Sequence, residues 1–335
     1  MSYIESTKSY TGSQLESIFF KPMFTGGSAA ELGIKVLYNM PIPTSIGVWG
    51  GDANILKGLG TAGWNGSQDV ERKSKTIDMK CVKAEQGFSA ADYYSMVYES
   101  MVLRSDTNFE DISGTELEAA ETDLFRASIS EAVRATMWIG DTQREGEFNT
   151  FDGLLKMIME RSDDGLITTS TFTQGSADSP AYTAALFKTL WNASSAKLQG
   201  LKSSGELVIF VTTDIYNHYE LYLDSQGVDS SYIEQTTGRP KLMYHGMEVI
   251  DMQVSGYLAD FDSDDLAAPY AFITDRRNLV MAVNTSDYPG SEIRMWYNPD
   301  EMQNRQRATF AIGCEIIDEE LISLGVPAVV EDSNA

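Results

Sequence analysis

The pattern of apolar and polar positions is most regular between Thr115 and Trp138, where it predicts a long α-helix. Thr115 and Glu118 match a capping box, in which side chains satisfy free backbone N–H groups of the first turn. Apolar residues then recur at helical spacing in two adjoining stripes, Leu117, Ala120, Leu124 and Ala127, and Phe125, Ile129 and Val133. We expect the helix to bury one face and to end at Gly140 and Asp141.

Two further helices and a strand follow from the same periodicities. The helices are predicted over Ser89 to Leu103 and over Ala181 to Lys202. The second would direct Leu186, Leu190, Trp191 and Leu198 toward the core. Alternation from Thr76 to Val82 predicts a half-buried strand with Ile77, Met79 and Cys81 on one face. A partner strand is predicted between Ile34 and Val48, interrupted by Pro41 and Pro43.

The second half of the chain is predicted to combine a buried strand, a helix and several short strands. The continuous apolar run from Leu207 to Val211 predicts a strand buried on both faces, followed by a capped helix from Asp214 to about Leu223. The later predicted strands are Lys241 to Ile250 around the turn at Gly246, Ala271 to Thr274, Leu279 to Val283, Ile293 to Tyr297 and Ala308 to Ile316. The predicted fold class is α+β.

Two segments lack the periodicity of a compact domain. The first 30 residues show only a short possible helix near Gly12 to Phe20, which indicates an extended arm ordered by other contacts. The stretch from Trp49 to Ser74 is rich in glycine, asparagine and charge, and loops longer than about 15 residues are usually functional, disordered or binding arms. We interpret it as a protruding hairpin.

Composition narrows the classes of function. The 335 residues provide a sizeable core without disulfides, and we expect Cys81 and Cys314 to be buried strand residues in a reducing compartment. No export leader and no apolar run near the ~18 residues that span a bilayer is visible, so a soluble protein is expected. The net charge of −24 argues against tight nucleic-acid binding, although loose enclosure is still allowed.

No motif supports a catalytic, cofactor or metal site. Gly58, Gly60 and Gly63 match a dinucleotide-binding pattern, but no amphipathic helix follows them. The alternating acids from Asp260 to Asp264 begin like a calcium loop without its glycine and final glutamate. The two histidines are too few and too far apart for a zinc site. We therefore predict no catalytic residues, no cofactor and no metal, and the protein is not expected to be an enzyme.

The order of the predicted elements carries a resemblance to a known family. Its most telling segments are Ile139-Gly140-Asp141 through Asp152-Gly153-Leu154, Val211 to Tyr219, Gly246 to Ile250, Ala271 to Leu279, Trp296 to Pro299 and Ala308 to Cys314. In this order they resemble the major capsid protein of tailed bacteriophages, which has the Hong Kong 97-type fold. The resemblance spans essentially the whole chain.

The resemblance implies a division of the chain. Residues 1–33 would be an N-terminal arm, 34–85 the extended hairpin loop and its base strands, and 86–154 the peripheral domain with its spine helix. Residues 155–290 would form the axial domain, and 291–335 would return to the peripheral domain and end in a tail. The long helical segment that precedes the arm in part of the family is missing, so scaffolding, if needed, would come from another protein.

The resemblance also implies partners and a location. Copies would form pentamers and hexamers of an icosahedral head that encloses double-stranded DNA, assembled in the host cytoplasm, with portal and possibly cement proteins and no membrane. Contacts between copies are expected at the hairpin and on the polar side of the long helix, at Trp49, Lys57, Trp64, Arg72, Lys73, Arg126 and Arg134. The alternatives are an encapsulin-like shell around protein cargo and, from another class, an α+β enzyme with a cryptic site.

Overall fold

The computed structural model describes most of the chain. The described residues are 8–11, 32–40, 44–50, 71–89, 116–175, 179–227, 242–258, 269–284, 292–301 and 303–328. Several predicted features lie outside these residues. They are the glycine motif at 58–63, residues 90–103 of the predicted second helix, Thr115 and the acidic run 260–264. The side chains of Leu117, Ala120, Leu124 and Ala127 also lie outside the described part.

Strands and helices alternate unevenly along the described chain. The strands are β1 (Lys8–Thr11), β2 (Lys35–Tyr38), β3 (Thr44–Gly50), β4 (Glu71–Ile77), β5 (Lys80–Ser89), β6 (Thr168–Phe172), β7 (Leu207–Val211), β8 (Met243–Tyr244), β9 (Met247–Asp251), β10 (Ala271–Asp275), β11 (Leu279–Asn284), β12 (Glu292–Asn298), β13 (Gln303–Ile316) and β14 (Ile322–Pro327). The α-helices are α1 (Glu116–Ile139), α2 (Leu154–Asp163), α3 (Tyr182–Ala193), α4 (Ala196–Gly200), α5 (Thr213–Ser225) and α6 (Ser255–Leu258). Short 3₁₀ turns follow α4 and precede β11 and β14. The predicted mixture of helices and strands is confirmed.

The strands form three sheets. The first has the order β1-β12-β13-β11-β2. β12 and β11 pair with successive parts of one edge of β13, and β5 pairs with its opposite edge. The second has the order β6-β14-β10-β7-β9-β8 and contains parallel and antiparallel pairs. β3 and β4 form a separate antiparallel pair from Thr44 opposite Ile77 to Gly50 opposite Glu71, so the paired base of the predicted hairpin is confirmed.

The second sheet is covered on both faces, as the continuous apolar run in β7 predicts. On one face Trp138 of α1 packs on Phe210 and Phe272, with ring centroids 5.3 and 6.2 Å apart. On the other face α3 and α5 pack together, and Phe187 meets Tyr219 at 4.9 Å. Every residue of β7 is buried, so this prediction is confirmed.

The long helix is confirmed, with the second of its predicted stripes in the core. Phe125, Ile129 and Val133 are buried, and Met137 and Trp138 extend the same apolar surface to the end of α1. This surface joins residues of both large sheets into one cluster. One face of the second half of α1 therefore packs in the core, between elements that are distant in the sequence.

The predicted strand from Thr76 to Val82 is wrong in its continuity. β4 ends at Ile77 and β5 begins at Lys80, so Ile77 and Met79 are buried while Cys81 is exposed. A β-carbon on Gly313 of β13 would lie only 2.5 Å from the Asp78 carbonyl oxygen. Because Gly313 has no side chain, the two residues that connect β4 to β5 can pack directly on β13. At this connection the buried side chains change from one face of the strand to the other.

Two other predicted elements are divided in the structure. The partner strand between Ile34 and Val48 is two strands, since β2 pairs parallel with β11 and β3 pairs antiparallel with β4. The helix predicted from Ala181 to Lys202 is interrupted after Ala193, and the Ser195 hydroxyl accepts the Leu198 N–H to start α4. A serine that caps a helix favours a new start over continuation.

Candidate functional site

The end of the long helix is fixed by two glycines in backbone contact. The Gly153 N–H donates to the Gly140 carbonyl oxygen at 2.7 Å, and the Gly140 N–H donates to Thr136 at 2.8 Å. A β-carbon on Gly153 would lie 2.5 Å from the Gly140 nitrogen and 2.7 Å from the Trp138 carbonyl oxygen. Both chains can approach this closely only because neither position has a side chain. The junction thereby sets the direction from α1 into α2.

A lysine and two carboxylates lock the polar segment between α1 and α2. Lys156 Nζ donates to Asp141 Oδ1 at 2.6 Å and to Asp152 Oδ1 at 2.7 Å, and its side chain is only 12% exposed. Thr142 donates to the same Asp152 oxygen through its N–H and its hydroxyl, both at 2.9 Å. The turn is thus held to the first turn of α2.

The charges of this lysine cluster stabilise one another. Burial of Asp152 opposes ionisation, but the hydrogen bonds from Lys156 and Thr142 outweigh it and lower the pKa of its carboxyl. Burial of Lys156 likewise opposes its charge, yet its bonds to Asp141 and Asp152 raise the pKa of its ammonium. Each group is therefore held in its charged form around neutral pH.

The expectation that both cysteines are buried is correct for Cys314 and wrong for Cys81. The Cys314 thiol donates to the Asp152 carbonyl oxygen at 3.0 Å, and burial raises the pKa of this thiol far above its usual range. Cys81 is exposed because the alternation changes face between β4 and β5.

We expect native protein to react with one equivalent of a thiol reagent, at Cys81, since the thiolate is the reactive form and the Cys314 thiol is buried and protonated. Ellman's assay with peptide mass mapping measures this, and denaturant should release the second thiol. The Cys81→Ser variant should be unreactive until it is unfolded. Rapid labelling of Cys314 in folded protein would contradict the packing described here.

An ion network connects the base of the hairpin to the two large sheets. In β4, Lys75 Nζ donates to the Ile316 carbonyl oxygen at 2.8 Å and pairs with Glu319. Arg161 of α2 pairs with Glu315, and its Nε lies 3.6 Å from Glu319. Burial opposes ionisation of Glu319, but the Lys75 hydrogen bond outweighs it and lowers the pKa of that carboxyl. The hairpin base is therefore anchored where β13 turns toward β14.

The part of the chain that the structure describes contains neither a cluster of metal-ligating residues nor a helix that could cross a membrane. There, no group of three or more histidine, cysteine, aspartate or glutamate residues is arranged to hold a metal ion. No described helix is both long and apolar enough to cross a membrane.

Comparisons with known proteins give matches in structure only. No protein-family model and no curated protein sequence matches the chain. A chain of the satellite phage P4 procapsid with its size determination (Sid) protein matches with a TM-score of 0.57 and 13% identity, over 92% of this chain and 98% of that one. The capsid of an empty GTA particle matches with a TM-score of 0.52 and 13% identity, over 90% of each chain. A chain of Gordonia phage Cozz matches with a TM-score of 0.52 and 11% identity, over 90% of this chain and 86% of that one.

The chain has a phage capsid-protein fold. The likeness covers both chains almost completely in the first comparison, so it extends over the whole architecture and does not rest on one common motif. At 11–13% identity this fold is retained with almost no shared sequence.

Within the capsid-protein fold, the predicted contact residues of the hairpin lie on its paired strands or beyond them. Trp49 of β3 is directly opposite Arg72 of β4, and Lys73 is opposite Val48. Lys57 and Trp64 lie outside the described residues. The described part of the hairpin thus brings Trp49, Arg72 and Lys73 together at its outer end.

The two predicted contact residues of the long helix are partly buried in the capsid-protein fold. Arg134 Nη1 donates to Gln253 Oε1 at 2.9 Å, and the Gln253 N–H donates to Asp251 at 2.8 Å. Arg134 thereby ties α1 to the segment after β9. Arg126 lies two turns earlier and is half-buried.

Sequence reasoning missed three groups of residues that the fold brings together. The Lys156 cluster, the Lys75–Glu319 network and a row of arginines across β12 and β13 all join residues from separate elements. Only the spacing of Asp152 and Lys156, four apart at the start of a helix, was available as a local signal. The others depend on strand registers that no local pattern reveals.

Proposed function

We propose that this chain is a major capsid protein of a tailed bacteriophage and that copies of it assemble into the shell of the viral head. The observation that supports this most strongly is the fold match over 92% of this chain and 98% of the P4 procapsid chain. A structural role also agrees with the absence of any catalytic motif in the sequence. The shell is proposed to be icosahedral and built from pentamers and hexamers.

The proposal extends to the Hong Kong 97-type architecture. Residues 1–33 form the arm, 34–85 the extended loop and its base, 86–154 the peripheral domain, 155–290 the axial domain, and 291–335 the return and tail. Supporting features are the 24-residue helix α1, the separate β3–β4 pair, and the second sheet between helices. Two strands cross the proposed boundary, because β11 pairs with β13 in the first sheet and β14 pairs with β10 in the second.

The proposed contacts between copies involve the hairpin and the long helix. The register of β3 and β4 puts aromatic and basic residues on one two-stranded element, which would contact a neighbouring copy. Partly buried arginines of α1 supply the second contact region. The proposed contact residues are Trp49, Lys57, Trp64, Arg72, Lys73, Arg126 and Arg134.

The proposed contents of the shell are double-stranded DNA held without sequence-specific binding. A net charge of −24 gives the wall little attraction for phosphates, so packed DNA would not adhere to it. A separate scaffolding protein, a portal and cement proteins are the proposed partners, with assembly in the host cytoplasm and a final location in the virion.

Assembly of the purified full-length chain tests the proposal. We expect light scattering after size exclusion, together with electron microscopy, to show pentamers, hexamers, tubes or shells, because many weak contacts close collectively. A stable monomer or small dimer, even with a cognate scaffold added, would contradict it. Shells that enclose a protein cargo and no DNA in their native source would favour the encapsulin alternative.

Charge reversal at the outer end of the β3–β4 pair tests the proposed contact region. The double variant Arg72→Glu, Lys73→Glu is expected to shift the population toward smaller species, because like charges across an interface disfavour association. Lys188→Glu, on the exposed surface of α3, is the matched control and should assemble as wild type does. Equal assembly of both variants would remove these two residues from the proposed interface.

A further inference from the structure

Three neighbouring strands of the first sheet place basic residues and a tryptophan on one face. Glu85 of β5, Arg307 of β13 and Arg294 of β12 are directly opposite one another in register. One step along, Gly87, Arg305 and Trp296 are opposite one another. Directly paired residues share a face of a sheet, so these side chains form one continuous surface.

A groove of about 420 Å³ lies on this surface. Its lining includes Glu85, Gly87, Trp296, Gln303, Arg305 and Arg307. The groove is open at position 87 because glycine has no side chain there. A β-carbon on Gly87 would lie 3.6 Å from Gln303 Oε1, which is ordinary van der Waals contact, so the strand accepts a side chain at this position. A larger side chain would fill the groove.

Basic side chains are concentrated on this surface of a strongly anionic molecule. Arg294, Arg305 and Arg307 are three of the twelve arginines in the chain, and Lys83 adds a fourth positive charge. Glu85 accepts from Lys83 at 2.8 Å and lies 3.6 Å from Arg307, while Glu301 pairs with Arg305. The described side chains of this surface thus include three arginines and a lysine beside two carboxylates, on a chain whose net charge is −24.

This mixture of charges fits a carboxylate-bearing polypeptide better than a nucleic acid. Glu85 and Glu301 lie among the arginines and would repel the regular row of phosphates on a nucleic-acid backbone. A protein segment can place single carboxylates against the arginines and apolar groups against Trp296. The chain itself carries 49 acidic residues against 25 basic ones, so its own surface supplies the complementary charge.

We propose that the groove over Gly87, bordered by Trp296, Arg305 and Arg307, receives an acidic segment of a second copy of this chain. The contact would join two different patches, and such heterologous contacts generate closed rings or extended arrays. This inference rests on the proposed function, because it names one surface through which the shell subunits associate.

The test uses variants that either fill the groove or remove its positive charges. Gly87→Phe places a ring in the groove, and Gly87→Ala is the matched control whose methyl group fits. Arg305→Gln with Arg307→Gln removes the charges while keeping polar side chains. Circular dichroism and thermal melting establish that each variant is folded. Light scattering and sedimentation velocity over a concentration series then give the concentration at which half of the protein is assembled.

The expected result is an increase of about tenfold or more in this midpoint for Gly87→Phe and for the double glutamine variant, equivalent to about 1.4 kcal/mol, with Gly87→Ala close to wild type. Wild-type assembly should also weaken with salt, and the double variant should be less sensitive to salt. In parallel, the fluorescence anisotropy of a labelled DNA duplex measures whether wild type and each variant bind DNA.

The outcomes separate the inference from the proposed function. If wild type and all folded variants assemble equally, the groove is not an interface and the inference is wrong, while the proposed function stands. If wild type forms no larger species, both are wrong. If the variants lose DNA binding and keep self-association, the partner class is wrong and the groove belongs to a nucleic acid.

Discussion

Gly153→Ala is expected to lower the free energy of unfolding by about 3 kcal/mol, at the upper end of overpacking effects. The added β-carbon would lie 2.5 Å from the Gly140 nitrogen and 2.7 Å from the Trp138 carbonyl oxygen, and both of these atoms belong to backbone that cannot rotate away. Relief would require α1 and α2 to separate, which breaks the 2.7 Å hydrogen bond between Gly153 and Gly140. Chemical denaturation of unassembled protein measures the loss.

Gly200→Ala is the matched control for this substitution. Gly200 lies in α4 with open space around it, so alanine should leave stability unchanged or raise it by about 0.5–1 kcal/mol through its better helix propensity. If Gly153→Ala and Gly200→Ala unfold at the same denaturant concentration as wild type, the close contact of the two backbones is not a constraint on the fold.

Lys156→Met is expected to cost about 2 kcal/mol at neutral pH, because it leaves Asp141 and Asp152 without the cation that neutralises them. The two hydrogen bonds lost are 2.6 and 2.7 Å long, and the lysine side chain is largely buried. Methionine preserves most of the aliphatic packing, so the loss reports the charge. Lys188→Met on α3 serves as the exposed control and should change stability by less than about 0.5 kcal/mol.

The loss of unfolding free energy caused by Lys156→Met should depend on pH, in a direction set by the pKa shifts of Asp152 and Lys156. The pKa of Asp152 is lowered in the folded state, so its contribution is complete above the ordinary value of 3.8 and is lost as pH falls through the lower folded value. The pKa of Lys156 is raised, so its contribution is complete below 10.5 and is lost as pH rises through the higher folded value. Denaturation from acid to alkaline pH should therefore show the largest difference from wild type between these limits. A constant difference would assign the cost to packing.

Local sequence patterns predicted the elements whose periodicity is uninterrupted. The buried run of β7, the long helix α1 with its Phe125, Ile129 and Val133 stripe, and the hairpin turn before β9 follow directly from spacing. Each is determined by residues within one or two turns of the chain. Contacts with the rest of the fold only confirm what the local pattern favours.

The wrong predictions share a cause in contacts that come from far along the chain. Cys81 was placed on a buried face because the alternation from Ile77 looked continuous, but the Asp78 backbone passes against Gly313 and the strand restarts. The capped helix was predicted to begin at Asp214, whereas α5 begins at Thr213, whose N–H donates to the Ser255 hydroxyl at 3.0 Å. Neither contact leaves a local signature.

Of the two candidate contact surfaces, one was predictable from local sequence and the other was not. The hairpin base was predictable because turn-rich composition between two strand patterns is a local signal, and the antiparallel pairing of β3 and β4 agrees with it. The face with Trp296, Arg305 and Arg307 was not predictable, since it arises only when β12 and β13 pair in a particular register. Sequence alone gives the residues of such a surface without their adjacency.

The topology of the first sheet has a consequence for how the chain folds during synthesis. β2 pairs with β11, and β5 pairs with β13, so strands near residues 35 and 85 obtain their partners only after residues near 280 and 310 exist. Contacts of such long sequence separation slow folding and leave early strands exposed. A nascent chain therefore holds β2 and β5 without their partner strands until translation is almost complete, and we expect refolding yield to fall steeply with concentration and to benefit from chaperones.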